Sequence, residues 1–208
     1  MHPLFWLAIF SLPFFLNDLF FWGASDYRLW LAIDYLFKIA ACALIWLWIR
    51  RGGEQRWLGL RPVAPVVFVA WTVGLSLLGV AIDQGVPGWV IAQGYEWRLF
   101  SFPAIESRAV FWFDLGPGLM LTAVSEELVF RGFGVLALLA LGWRPIWAIL
   151  FSSLLFGLVH WGLGPAVIVT ATLWGLLPAL SVVLTRSIFP AIIAHYVTNF
   201  VDFSGWFF

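Results

Sequence analysis

Three ionisable residues lie close together inside one long apolar stretch of the sequence: Glu126, Glu127 and Arg131. Each ionised group at the centre of an isolated membrane helix costs roughly 2.5 to 3.5 kcal/mol on insertion. Glu127 and Arg131 are four residues apart, so they share a helical face and can form an ion pair. Glu126 lies about 140° around the helix from Arg131, because an α-helix has about 3.6 residues per turn. The spacing therefore predicts a structural pair of Glu127 with Arg131 and leaves Glu126 as the candidate proton acceptor.

Two histidines also lie in apolar stretches, each sharing a helical face with a residue four positions away. His160 follows Phe156 by four residues, and His195 precedes Asn199 by four. A single histidine on an apolar helix is most often a structural hydrogen-bonding residue. Two histidines, an amide and an unpaired glutamate together supply a base, a proton shuttle and hydrogen-bond donors. Hydrolysis of an acyl bond requires these groups.

The signatures of several other hydrolase classes are absent from the sequence. It contains no HExxH motif of a zinc protease and no GxSxG motif beside a partner histidine. Asp114 precedes Leu-Gly-Pro-Gly and does not form the GxGD motif of aspartyl intramembrane proteases. The single cysteine, Cys42, excludes an internal disulfide and lies far from these residues along the chain. The mechanism that remains is direct activation of water by a glutamate and a histidine.

The candidate residues form three ordered motifs, Glu126-Glu127-x-x-x-Arg131, Phe156-x-x-x-His160 and His195-x-x-x-Asn199. Phe130-Arg131-Gly132 and the run 187–194 flank the first and third motifs. The motifs and their flanks resemble those of the CAAX-protease and bacteriocin-processing family. This is the group of glutamic intramembrane proteases that includes the type II CAAX prenyl endopeptidase. The resemblance covers about residues 122–200.

The resemblance implies a multi-helix membrane fold with an active site in a water-accessible cavity below the membrane surface. Glu126 and His160 would activate the water that attacks the peptide bond. His195 and Asn199 would hold the oxyanion of the tetrahedral intermediate. Because water is the nucleophile, the resemblance implies no covalent acyl-enzyme, and we expect no cofactor and no bound metal.

The same resemblance gives supporting roles to Glu127, Arg131 and Phe156. The substrate would be a membrane-embedded or lipidated peptide or protein, cleaved near its C-terminus. The family acts on prenylated proteins in eukaryotes and on other peptides or C-terminal sorting signals in bacteria, so the resemblance leaves the substrate open.

The composition indicates that these residues are carried by a membrane protein. Of 208 residues, 63% are hydrophobic and 11% are charged, whereas soluble domains have about 25% charged residues. A soluble domain of this size could not bury so much apolar surface. The 11 basic residues are balanced by 11 acidic ones, which excludes the strongly basic surface of a nucleic-acid-binding protein. We therefore expect partners in the lipid bilayer and no nucleic acid.

Apolar runs long enough to cross a bilayer predict an all-α polytopic membrane protein with about seven transmembrane helices, within a range of about six to eight. The predicted spans are 4–22, 29–49, 63–82, 117–141, 145–161, 165–184 and 188–207. Asp34 and Lys38 lie on one face of the second span, where they are expected to neutralise each other. Residues 83–108 are rich in glycine, proline and charge, and we expect an interfacial loop there.

This division predicts a single integral membrane domain with two parts. Residues 1–108 would hold the N-terminal transmembrane spans and the interfacial loop. Residues 109–208 would form the catalytic helical core.

Arginines in the predicted loops indicate the orientation. One side would carry six arginines: Arg50, Arg51, Arg56, Arg61, Arg144 and Arg186. The other side would carry three: Arg28, Arg98 and Arg108. Because positively charged loops stay on the cytoplasmic side, we expect a cytoplasmic N-terminus. The shortness of the chain favours a bacterial cell membrane. This topology puts His160 near the outer end of its span and His195 near the inner end of its own, ~10 Å or more apart in depth.

Two other kinds of function use the same residues. In a metal-dependent protease, Glu126, His160 and His195 would be ligands of a type that suits zinc. In a non-enzymatic protein, the fold would serve membrane immunity or a chaperone-like role, or the groups would relay protons in a small transporter. The transporter is the poorer fit, because the sequence shows no paired halves with corresponding broken helices.

Overall fold

The computed structural model describes residues 2–205, which form an all-α polytopic membrane protein with no β-strand among them. The first three helices are α1 (Pro3–Phe21), α2 (Tyr27–Arg50) and α3 (Pro65–Ala92). A continuous helical run follows, in which two π segments separate three α-helical parts. The α-helical parts are α4 (Arg108–Phe113), α5 (Leu119–Glu126) and α6 (Leu136–Ala140). The first π segment is Asp114–Gly118 and the second is Glu127–Val135. The last three helices are α7 (Pro145–Leu158), α8 (Pro165–Thr185) and α9 (Phe189–Ser204).

The helices begin where the sequence supplies starting residues. Proline occupies the first turn of α1, α3, α7 and α8, where its missing N–H has no helical partner to lose. Asp26 caps α2, and its side chain accepts a hydrogen bond of 2.7 Å from the backbone N–H of Arg28. Pro190 likewise lies in the first turn of α9, and six of the seven predicted spans begin within about two residues of the observed helices.

Two of the predicted boundaries were wrong. The third span was expected to end at residue 82, but α3 continues through Pro87 to Ala92. Asp83 and Pro87 of this extension line a cavity inside the bundle, so the Asp83 carboxyl group faces that cavity. The fourth span was expected to start near Pro117, but helix begins at Arg108 and Pro117 lies inside the first π segment. Proline lacks the N–H that a regular helical turn uses, and Pro117 lies where the turn widens to the π form.

The apolar surface of the described residues fits a lipid environment. Helices α1, α2, α3 and α8 are long and apolar enough to cross a membrane. Large apolar side chains on these helices are exposed, for example Val66 on α3 at 74% and Leu184 on α8 at 64%. Helix α7 is also apolar but has only 14 residues, so it is about 21 Å long. The predicted end of the last span, residues 206 and 207, lies outside the described residues.

The turns between helices gather at two ends of the bundle. At the first, which we call the arginine end, the Ile188 N–H donates to the Gly59 carbonyl over 3.0 Å. A groove there is lined by residues of the stretches 49–61 and 136–145 together with Arg186. At the opposite end, the Leu99 N–H donates to the Gly162 carbonyl over 2.9 Å. Successive helical segments therefore run alternately between the two ends.

Candidate active site

Glu127 and Arg131 form the ion pair that their spacing predicts. Both side chains are fully buried, and Arg131 Nη1 lies 3.3 Å from Glu127 Oε1. The guanidinium carbon of Arg131 lies 3.8 Å from the centre of the Phe156 ring and 5.1 Å from that of Trp174. The aromatic faces thus supply attraction to a cation that has been removed from water.

His195 lies between the two glutamates. Its Nδ1 is 2.9 Å from Glu127 Oε1, and its Nε2 is 3.6 Å from Glu126 Oε2. Helical spacing predicted only one partner for Glu127, which is Arg131. The contact of Glu127 with His195 was not predicted. The second π segment begins at Glu127, and its wider turn changes the directions that α-helical spacing predicts. Four groups are consequently connected in the order Arg131, Glu127, His195 and Glu126.

His160 lies in the turn that follows α7. Its Nδ1 is 2.9 Å from the backbone carbonyl of Phe156. A carbonyl oxygen can only accept, so this contact places the proton of a neutral ring on Nδ1 and leaves the Nε2 lone pair free. The His160 side chain is therefore oriented as a proton acceptor.

The turn that carries His160 is held by α1. The backbone N–H of Gly162 donates to Asp18 Oδ2 over 2.8 Å, and Trp161 Nε1 donates to the carbonyl of Phe15 over 3.2 Å. The sequence analysis did not select Asp18. Its signal was present, because a carboxylate inside a membrane helix marks a functional or structural partner.

Phe156 packs against both histidines. Its ring centre lies 5.1 Å from that of His160 and 6.0 Å from that of His195. Trp174, which the sequence analysis did not select, lies 4.5 Å from His195 between ring centres. The depth difference expected from the predicted topology does not separate the histidines into two sites, because both contact the same phenylalanine.

All four residues predicted to be catalytic line one cavity of about 370 Å³. They reach it from different elements: Glu126 from α5, His160 from the turn after α7, and His195 and Asn199 from successive turns of α9. Glu127 and Arg131 lie behind this wall, with no exposed side-chain surface.

A second polar group lines the same cavity. Lys38 donates to Asp34, as predicted, and also to Thr122 Oγ1 over 2.6 Å. Asn17 Nδ2 donates to Asp34 Oδ1 over 3.3 Å. These contacts pair the charges of α2 and connect α1, α2 and α5 across the cavity.

Histidine and carboxylate side chains are also common ligands of a catalytic metal ion. Within residues 2–205, no group of three or more His, Cys, Asp or Glu side chains is placed to hold a metal ion. Glu126, His160 and His195 share the cavity but do not form such a group.

Part of the chain is similar to a known protein family. Residues 108–201 match a family model described as Rce1-like, the type II CAAX prenyl endopeptidase Rce1-like family. Because of this similarity, we call residues 108–201 the CAAX-protease-like segment. The CAAX-protease-like segment contains all four predicted catalytic residues, whereas α1, α2 and α3 lie outside it. No curated protein and no solved structure matches the chain.

Proposed function

We propose that the protein is an intramembrane endopeptidase of the glutamic type, which hydrolyses a peptide bond near the C-terminus of a membrane-anchored or lipidated substrate. The observation that carries this proposal is the shared cavity of Glu126, His160, His195 and Asn199. The match of residues 108–201 to a CAAX-protease-type family supports it.

Activation of water is assigned to Glu126 and His160. His160 donates from Nδ1 to the Phe156 carbonyl, so its Nε2 is available to accept a proton. Glu126 supplies a carboxylate on the adjacent wall. A water between these groups would lose its proton as its oxygen attacks the carbonyl carbon of the substrate. General-base assistance of this kind contributes typically about 10²- to 10⁴-fold to the rate.

Stabilisation of the oxyanion is assigned to His195 and Asn199. Glu127 contacts Nδ1 of His195 and fixes the ring, so Nε2 is directed to the Glu126 side of the cavity. In the imidazolium form, which carries an N–H on both ring nitrogens, Nε2 of His195 and the amide of Asn199, one turn later, would donate to the oxygen that becomes negative. When the tetrahedral intermediate collapses, the C–N bond breaks. The proton taken from water then passes to the leaving amine.

The test compares the wild-type protein with Glu126→Gln and His160→Ala in cells that produce it. C-terminal peptides of the membrane fraction are quantified by mass spectrometry, so no substrate has to be assumed. We expect cleaved C-termini in wild-type cells and a loss of about 10²-fold or more in both variants, because each removes a base of the water. Glu54→Gln is the matched control, since this glutamate pairs with Arg56 on the surface at the arginine end.

Equal cleavage in the wild type and both variants would contradict the proposal. A biological effect of the protein, such as immunity, that persists in Glu126→Gln would instead favour the non-catalytic function. Cleavage that a strong chelator abolishes and added zinc restores would favour the metal-dependent protease.

A further inference from the structure

The loops at the two ends of the bundle differ in charge. The connecting segments of the arginine end carry five arginines and one acidic residue, Glu54, with Arg50 at the adjoining end of α2. At the opposite end, the connecting segments carry Asp26, Glu96 and Glu106 besides Arg98, with Arg28 and Arg108 at the adjoining helix starts. The connections are short, and positive charge in short loops is the signal that keeps an end of a membrane protein in the cytoplasm.

The catalytic cavity lies toward the end with fewer arginines. Its lining includes residues from the helix ends and loops of that end: Phe21, Trp30, Pro87, Arg98, Phe102 and Phe203. Aromatic contacts join these elements, with ring centres 5.5 Å apart for Phe21 and Trp30 and 5.7 Å apart for Phe102 and Phe203. The loop from 98 to 102 therefore borders the cavity.

The site is closed toward the arginine end by packed side chains and backbone. The short 3₁₀ helix Gln55–Leu58 folds under the second π segment, and Leu58 is 1% exposed. A Cβ added to Gly132 would lie 2.5 Å from the carbonyl oxygen of Leu58, so the two backbones are in contact. Phe133 is fully buried beside Trp48 and Trp57. The groove of the arginine end is lined by other residues and includes none of the four predicted catalytic ones.

We propose that the active site opens to the non-cytoplasmic face of the membrane, and that its substrate is a membrane-anchored protein whose scissile bond is reached from that face. The direction of the opening rests on the charge asymmetry and the closed arginine end. The substrate class rests in addition on the proposed protease function. A protein lipidated at its C-terminus on the cytoplasmic surface is then excluded, because its peptide bond would meet the closed end.

The test measures which end faces outward, and it does not require proteolysis. Cys42 is first replaced by alanine, which gives a chain without cysteine. Single cysteines are then introduced as Gln55→Cys at the arginine end, and as Gln93→Cys and Ser101→Cys at the opposite end. All three positions are exposed, and Ser101 lines the cavity. The two glutamine substitutions are matched in chemistry, and the cysteine-free chain is the labelling control.

A membrane-impermeant maleimide applied to intact cells is expected to label Gln93→Cys and Ser101→Cys. Gln55→Cys is expected to gain label only after the membrane is permeabilised. Label on Gln55→Cys in intact cells, or its absence from Gln93→Cys and Ser101→Cys until permeabilisation, would overturn the proposal. Either labelling result is independent of cleavage, so a failure of the proposed protease function would remain distinguishable from a wrong orientation.

Discussion

His195 contacts the side chains of both glutamates with different ring nitrogens. Nδ1 lies 2.9 Å from Glu127 and Nε2 lies 3.6 Å from Glu126. A histidine held at one nitrogen by a carboxylate has a fixed ring orientation, and the other nitrogen is presented to the reaction. The buried Arg131 in turn holds Glu127. The supporting residues of the first motif therefore act on the third motif.

The residue types of the site could be predicted from the sequence, whereas their connections could not. Glu126, His160, His195 and Asn199 were selected because polar side chains are costly inside apolar helices. Helical spacing predicted the contact of Glu127 with Arg131, which is local. The contact of Glu127 with His195 joins residues that are 68 positions apart. Periodicity within one helix carries no information on such a contact, so it required the fold.

The first prediction concerns Asp18 as a positioning residue for His160. Asp18→Ala removes the acceptor of the Gly162 N–H, and Asp18→Asn retains an oxygen that can accept it. We expect Asp18→Ala to lower kcat by about 10- to 100-fold with little change in KM, because misplacement of a catalytic group by about 1 Å can cost that much. Asp18→Asn should restore much of the rate.

The measurement is cleavage of the substrate identified in cells, followed with purified protein over a range of substrate concentrations. A purely structural role for Asp18 would instead lower the melting temperature of both variants and leave kcat per folded molecule unchanged. Equal rates for Asp18→Ala and the wild type would contradict the assignment.

At the scale of elements, the second π segment carries two buried residues of the candidate site. It contains Glu127 and Arg131, and π segments occur frequently at functional sites. The predicted number of seven helical segments agrees with residues 2–205, where the continuous run from Arg108 to Ala140 counts as one segment. The number was predictable because long apolar runs and helix-starting prolines are local signals. The π turns were not predicted, since they arise from packing against neighbouring helices.

The second prediction compares two glycines of the π segments. Gly132 touches the backbone of Leu58, whereas nothing lies within 4 Å of a Cβ added to Gly116. Gly132→Ala should destabilise the protein by about 1 to 3 kcal/mol, because a backbone neighbour cannot move aside as a side chain does. Gly116→Ala should be neutral or stabilising by up to about 1 kcal/mol, since alanine favours helix.

Thermal unfolding of both variants in the same detergent measures the difference. A melting temperature of Gly132→Ala equal to that of Gly116→Ala would contradict the close contact between the second π segment and the 3₁₀ helix.

At the scale of the whole molecule, the exterior is apolar and the charged side chains are placed inside or at the two ends. Leu77 on α3 is 68% exposed, and Val69 and Val73 on the same helix are 56% and 51% exposed. Glu127 and Arg131, by contrast, are fully buried. This arrangement is the one expected of a protein whose solvent is lipid.

The third prediction tests the lipid-facing surface. Leu77→Arg should reduce the amount of protein recovered in the membrane, because an arginine near the centre of a membrane helix costs roughly 2.5 to 3.5 kcal/mol on insertion. Gln93→Arg is the control, since Gln93 is exposed just beyond the end of α3. Quantitative immunoblotting of membrane fractions measures both. Equal recovery of the two variants would show that α3 does not face lipid at Leu77.

The shortness of α7 has a consequence for the bilayer itself. With 14 residues, α7 is about 9 Å shorter than a typical hydrocarbon core of about 30 Å. Ile146, Leu150 and Leu154 are exposed on its outer surface, so lipid tails meet this helix directly. A membrane adapts to such hydrophobic mismatch by thinning locally. The bilayer beside His160 would then be thinner, and bulk water would reach the turn that carries His160 over a shorter path than the average membrane thickness allows.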